Sequence, residues 1–186
     1  VDGQGDWGVL RMSQGRRIVI LTLATFALAA CGNKEEDRGG PARWDNFPVA
    51  IYTDPGVVPN AQAHDDFQKA MEFWESKVGK RLFDYRGNWN GQGYGGGDSI
   101  AENSMYVKSP WNYAMTIAAQ TLVLSRKSQI LGAVIMINPH IGFCQGECQG
   151  QYSGTSARKV FAHELGHFLG LTHSGDADNI MYPDAL

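Results

Sequence analysis

Three of the five histidines in this chain fall between positions 163 and 173, and their spacing restricts what the segment can become. In His163-Glu164-Leu165-Gly166-His167 the histidines lie four residues apart, which on an α-helix puts both imidazoles on one face, a turn apart. Two imidazoles so placed can share one Zn²⁺, and Glu164, one step round the helix, can hold a water beside it. Zinc lowers the pKa of such a water towards ~7, and a neighbouring carboxylate can take its proton and pass it to a leaving group. Gly170 then ends the helix, because a left-handed backbone costs glycine little. The chain turns there and His173 can reach the metal as a third ligand. Three histidines and a water leave an open coordination position, the arrangement of a catalytic rather than a structural site.

The helix that carries this pattern is expected within Ser153 to Gly170, with Ser153, Thr155 and Ser156 as candidate caps and Val160, Leu165, Phe168 and Leu169 towards the core. Upstream, Pro48 to Thr53 is a β-branched apolar run closed by Asp54-Pro55-Gly56 and reads as a first strand. A helix follows, its stripe formed by Phe67, Ala70, Met71, Trp74 and Val78, with Gly79 as the stop. Arg81 to Arg86 alternates as a second strand, and Thr116 to Ser125 and Gly132 to Asn138 read as two neighbouring strands before Pro139. The resulting order, β, α, β, β, β, α, is a mixed sheet backed by two helices, an α+β domain. Six glycines between Gly87 and Gly97 mark one long loop. That loop could wrap a structural Ca²⁺ with Asp98 as a carboxylate ligand, or simply lie on the surface.

Sixteen basic against nineteen acidic residues, a net charge of −3, give no basic surface for nucleic acid, which is excluded as a partner. The positive charges that do cluster, Arg11, Arg16 and Arg17, precede an apolar run from Ile18 to Ala30, the layout of a secretion signal. At 13 residues the run is short of the ~20 that cross a bilayer as a helix. Leu28-Ala29-Ala30-Cys31 resembles the lipobox of bacterial lipoproteins, which implies diacylation of Cys31 and durable attachment to a membrane. By the same resemblance, Gly32 rather than Asp after the cysteine favours the outer membrane where a cell has one. The expected division is residues 1–30 as signal region, with translation starting at Met12, then 31–46 as lipidated cysteine and tether, and 47–186 as the folded domain. The charged stretch Gly32 to Arg43 reads as a solvated tether; a sharper alternative is an inhibitory flap presenting Glu35, Glu36 or Asp37 to a metal.

The string His163 to His173 matches H-E-x-x-H-x-x-G-x-x-H at every fixed position. Ser174 follows the third histidine directly, and Asn179-Ile180-Met181-Tyr182-Pro183 places Met181 eight residues beyond it. With these features the chain resembles the metzincin zinc proteases and, within them, the matrixins. The resemblance implies a twisted five-stranded sheet, a zinc-binding helix at the floor of a cleft, and Met181 beneath the metal as an apolar floor, with Ser174, Pro183 and Gly170 supporting the turn. It implies that Tyr182 is not a ligand, and that extended peptide substrates add to an edge strand, which by element order is Thr116 to Ser125. Relatives continue through a further helix after the Met-turn, so a chain ending at Leu186 is expected to leave the pocket after the scissile bond open, or to borrow it from a partner. With Cys31 as the sole cysteine upstream, a cysteine-switch latency is not expected.

Cys144 and Cys148 read as a disulfide outside the cytoplasm, pinning the loop that enters the zinc helix; the alternative, a second zinc site, has His140 as its only nearby histidine. His64, on the first helix, reads as a surface residue. The function expected is a zinc endopeptidase acting on proteins at the bacterial envelope, with Glu164 as general base and acid. Its alternatives are an envelope hydrolase for peptidoglycan peptides and a zinc-stabilised binding module without turnover. Pure metal binding needs no Glu164, which argues against the last, and a chance cluster of histidines accounts for neither Gly170 nor Met181. The oligomeric state is not legible.

Overall fold

Residues 49, 51 and 53 are buried along Val49–Thr53 (β1), the period of two that a strand shows when one face meets a core. The structure, a computed structural model, describes residues 41–89, 91, 99–148 and 155–183; Cys31, Glu35, Glu36, Asp37, Asp98 and Ser153 lie outside them. After β1 comes the helix Ala61–Val78 (α1), capped by Asn60, whose side chain accepts from the Ala63 amide at 2.9 Å, and stopped by Gly79 at φ 66°. Phe67, Ala70 and Met71 are buried and Trp74 half-buried, as the stripe requires. Val78 departs from it: the last turn is left uncovered and its side chain is 56% exposed.

The second strand runs over Phe83–Asn88 (β2), two residues later than the alternation suggests. Its start is delayed because the Glu75 carboxylate on α1 accepts from the amides of Leu82 and Phe83, at 2.8 and 3.0 Å. Ser104–Val107 (β3) is a strand that sequence reading misses, since four residues are too few to show a period. Ala119–Arg126 (β4) and Gln129–Ile137 (β5) form an antiparallel hairpin. The strands run right up to a two-residue turn with Lys127 at φ 56°, so most of the expected linker Arg126 to Leu131 is strand. Thr116 to Ala118 stays outside β4. There the buried Asn138 side chain donates to the carbonyls of Met115 and Ile117, at 3.3 and 2.9 Å, holding the approach as a loop.

The sheet has five strands in the order β2-β1-β3-β5-β4. The three pairings among β2, β1, β3 and β5 are parallel, and β4 lies antiparallel to β5 at one edge. The last helix, Ala157–Phe168 (α2), is capped by Ser156. It packs beside α1 over one face of the sheet, and Ile51, Phe67, Met105, Ile135, Val160, Leu165 and Phe168 are its fully enclosed core. Leu169 packs against this core only half-buried. The α+β expectation holds, with five strands rather than the four legible from residue patterns alone.

Two ties fix α2, and neither was anticipated. Asp66 on α1, fully buried, accepts from Nε and Nη2 of Arg158 on α2, at 3.1 and 2.9 Å, while its second oxygen accepts from the Gly146 amide at 2.7 Å. A buried carboxylate is tolerated because every one of these donors compensates the lost water. At the other end of α2, Trp44 donates its indole N–H to the terminal carbonyl of Phe168 at 2.8 Å and packs on that ring at 5.3 Å. Arg43 beside it exchanges main-chain hydrogen bonds with Ser128 and Ile130 at the hairpin turn. Arg43 and Trp44, read above as tether, are therefore joined to the domain: an indole that satisfies a free helix-end carbonyl has a place to dock.

Candidate active site

His163, Glu164 and His167 are 3%, 3% and 7% exposed on α2, and the chain beyond the helix serves to aim them. Nδ1 of His163 lies 2.7 Å from the carbonyl of Ile180, and Nδ1 of His167 lies 2.8 Å from that of Leu171. A carbonyl can only accept, so both Nδ1 atoms are the protonated donors. Both Nε2 atoms then carry bare lone pairs, 3.1 Å apart, and Nε2 of the exposed His173 sits 3.2 Å from that of His167. All three lie within 4.8 Å of one another, and among the described residues they are the one group of histidine, cysteine or carboxylate ligands so placed. Lone pairs this close repel unless a cation lies between them. A tetrahedral ion with bonds of about 2.05 Å sets neighbouring nitrogens about 3.3 Å apart, so the donor set fits zinc in chemistry, and the His163–His167 and His167–His173 pairs fit it in spacing.

The third histidine is delivered by the predicted turn. Gly170 takes φ 95°, with its amide donating to His167 and that of Leu171 to Gly166. The loop after His173 is closed by the Ser174 amide donating to Met181 at 2.9 Å, while the Asn179 side chain accepts from the Met181 amide at 2.9 Å. Ile180, in that turn, supplies the carbonyl that orients His163. Met181 is 3% exposed and lies against Gly166, where a Cβ would fall 2.2 Å from its sulfur and 2.8 Å from the Trp74 ring. Gly166 was read as a free position of the motif. A glycine in a helix interior, about 1 kcal/mol worse than alanine, was the available signal of such a close approach. Pro183 lies just beyond, half-buried.

The family model described as Matrixin matches residues 43–185. The chain belongs to the matrixin family. The match begins at the residue where the chain joins the hairpin. Matrix metalloproteinase-A of Caenorhabditis elegans is 31% identical to this matrixin over 88 residues, which are 46% of this chain and 17% of that protein. This chain therefore spans only a small part of that relative's length.

The edge strand of this matrixin also reaches the site. The Thr121 hydroxyl on β4 hydrogen-bonds Oε2 of Glu164 and lies 3.3 Å from the main-chain carbonyl of the same residue. Nothing in the spacing of the motif points to Thr121, 43 residues upstream. Burial pushes the Glu164 carboxyl up to about 7, against the opposing pull of the Thr121 hydrogen bond. Burial also lowers His167 to about 4, opposed by its bond to Leu171 and reinforced by the neighbouring His163 and His173. His163 is lowered for the same leading reason, burial. Neutral imidazoles are the ligating form.

Cys144 and Cys148 are joined as a disulfide, so the thiolates of a second zinc site are not free there. Main-chain bonds from Cys144 to Thr155 and from Ala157 to Cys144 tie that loop to the start of α2. His140 and His64 are both exposed, the latter against the Tyr85 ring at 5.4 Å.

Proposed function

We propose that this matrixin is a zinc-dependent endopeptidase, secreted and held at a bacterial cell envelope by lipid on Cys31. The observation that carries the catalytic part is the convergence of three Nε2 atoms beside a buried carboxylate. Zinc held by His163, His167 and His173 would supply a Lewis acid for the scissile carbonyl and acidify an attacking water. Glu164 takes the proton of that water on its carboxylate and delivers it to the leaving amine nitrogen, so one residue serves as base and then as acid. Its raised affinity for a proton suits both halves of the exchange near neutral pH. β4, with a neighbouring strand on one side only among the described residues, leaves main-chain groups to pair with an extended peptide, which favours protein substrates of many sequences.

Incubating the purified protein with a mixed peptide library is expected to give internal cleavage that stops with a zinc chelator and returns on adding zinc. Stoichiometric zinc with no peptide cut would sink the endopeptidase reading. The Cys144–Cys148 disulfide supports an oxidising compartment. For the anchor, bacterial expression with labelled palmitate is expected to mark the wild type and leave Cys31→Ser unmarked and released from membranes; an unlabelled wild type removes the anchor from the proposal.

A further inference from the structure

We infer that Thr121 is a positioning residue for Glu164, holding the carboxylate in the orientation that hydrolysis requires; the inference rests on the endopeptidase reading above. Glu164 projects from α2 on a side chain with three rotatable bonds, and the helix fixes only its Cα. Its carboxylate is buried, where an ionised group without donors is strongly disfavoured and would swing towards any that it could find. Among the described residues, the side chain that hydrogen-bonds this carboxylate is that of Thr121.

The placement of Thr121 gives it the rigidity the task needs. It pairs with Ile135 in the antiparallel ladder between β4 and β5, and it is 4% exposed. A β-branched side chain in a strand has little rotamer freedom, so the hydroxyl is aimed by the sheet rather than by chance. Its oxygen also lies 3.3 Å from the main-chain carbonyl of Glu164, so strand and helix approach closely at this residue. One carboxylate oxygen, Oε2, is thereby occupied by the strand, and Oε1 is assigned to the reacting water and amine. Because β4 is the edge strand, the same element that would bind the peptide also sets the base: substrate binding and base orientation share one rigid support.

The test compares wild type, Thr121→Val and Thr121→Ser in steady-state peptide cleavage, with zinc content and zinc affinity measured on each. Val keeps the branched shape and loses the hydroxyl; Ser keeps the hydroxyl and loses the methyl. Thr121→Val is expected to lower kcat by about tenfold to a hundredfold, the range for one hydrogen bond to a charged group. Its KM and zinc affinity should stay within about twofold of wild type, and Thr121→Ser should recover most of kcat. Full kcat in Thr121→Val overturns the inference and leaves the protease reading standing. So does an equal loss in Thr121→Ser, which would assign the effect to packing. A rise in KM at constant kcat would make Thr121 a substrate contact instead. Should Thr121→Val not fold, Thr121→Ala is compared with Thr121→Ser in its place, under the same criteria. A wild type that loads zinc and cuts no peptide overturns the protease reading, and the role of Thr121 falls with it.

Discussion

Glu164→Gln is expected to keep a full complement of zinc and to lower kcat/KM for peptide cleavage by about 10²–10⁴-fold, the range for loss of general acid–base catalysis. Gln has the same shape, and its carbonyl oxygen can still accept the Thr121 hydrogen bond, but it cannot take a proton from water. Three imidazoles remain to hold the metal. His163→Ala behaves differently: it removes a buried ligand that Ile180 orients at 2.7 Å, so metal and activity should fall together. Zinc stoichiometry measured beside peptide turnover separates the two. Equal activity in Glu164→Gln and wild type would show that the proton moves by another route, and it would leave the three histidines as a metal site alone.

What the sequence made legible follows from distance along the chain. The triad and its turn at Gly170 lie within the eleven positions His163 to His173 at the end of α2, and helical spacing is a local property, so HELGHFLGLTH could be read as geometry. α1 was legible for the same reason, with Gly79 as its stop, while the Asn60 cap was not read. β3 was not, because Ser104–Val107 is a strand only by virtue of β1 and β5 on either side of it. Nor were Asp66 or Trp44, whose partners Arg158 and Phe168 lie 92 and 124 residues away. Thr121 belongs to the same class. The pattern names the ligands and the base, while the side chains that hold them in place come from elements brought up by the fold. Gly166 is an intermediate case: its cost in a helix was visible, but the reason for it, Met181 against the helix face, required the turn to be closed.

Gly170→Ala is expected to be among the most damaging single-methyl changes in the domain, and its effect should reach the metal. The backbone at 170 has φ 95°, a region that costs a residue with a Cβ about 1–3 kcal/mol. Space is lacking too: a Cβ there would fall 2.2 Å from the main-chain oxygen of Ala42 and 3.1 Å from Ile130. A main-chain atom cannot swing aside as a side-chain end can, and Ala42 is held by its neighbours, with Arg43 bonded to the hairpin turn and Trp44 to Phe168. Either the strand-like segment 42–44 lifts off α2 or the turn reopens. If the turn reopens, His173 moves away from His163 and His167, and a three-ligand site becomes a two-ligand one. Zinc affinity should then drop by at least about tenfold to a hundredfold, by analogy with loss of a supporting contact, alongside a lower urea midpoint in the metal-free protein. Gly166→Ala is the informative comparison, because its Cβ would meet side chains, the Met181 sulfur at 2.2 Å and the Trp74 ring at 2.8 Å, rather than main chain. It should cost stability while keeping more of the zinc affinity. If Gly170→Ala loses stability but binds zinc as wild type does, segment 42–44 has yielded instead of the turn, and the N-terminal strap is the softer of the two elements that meet at Gly170.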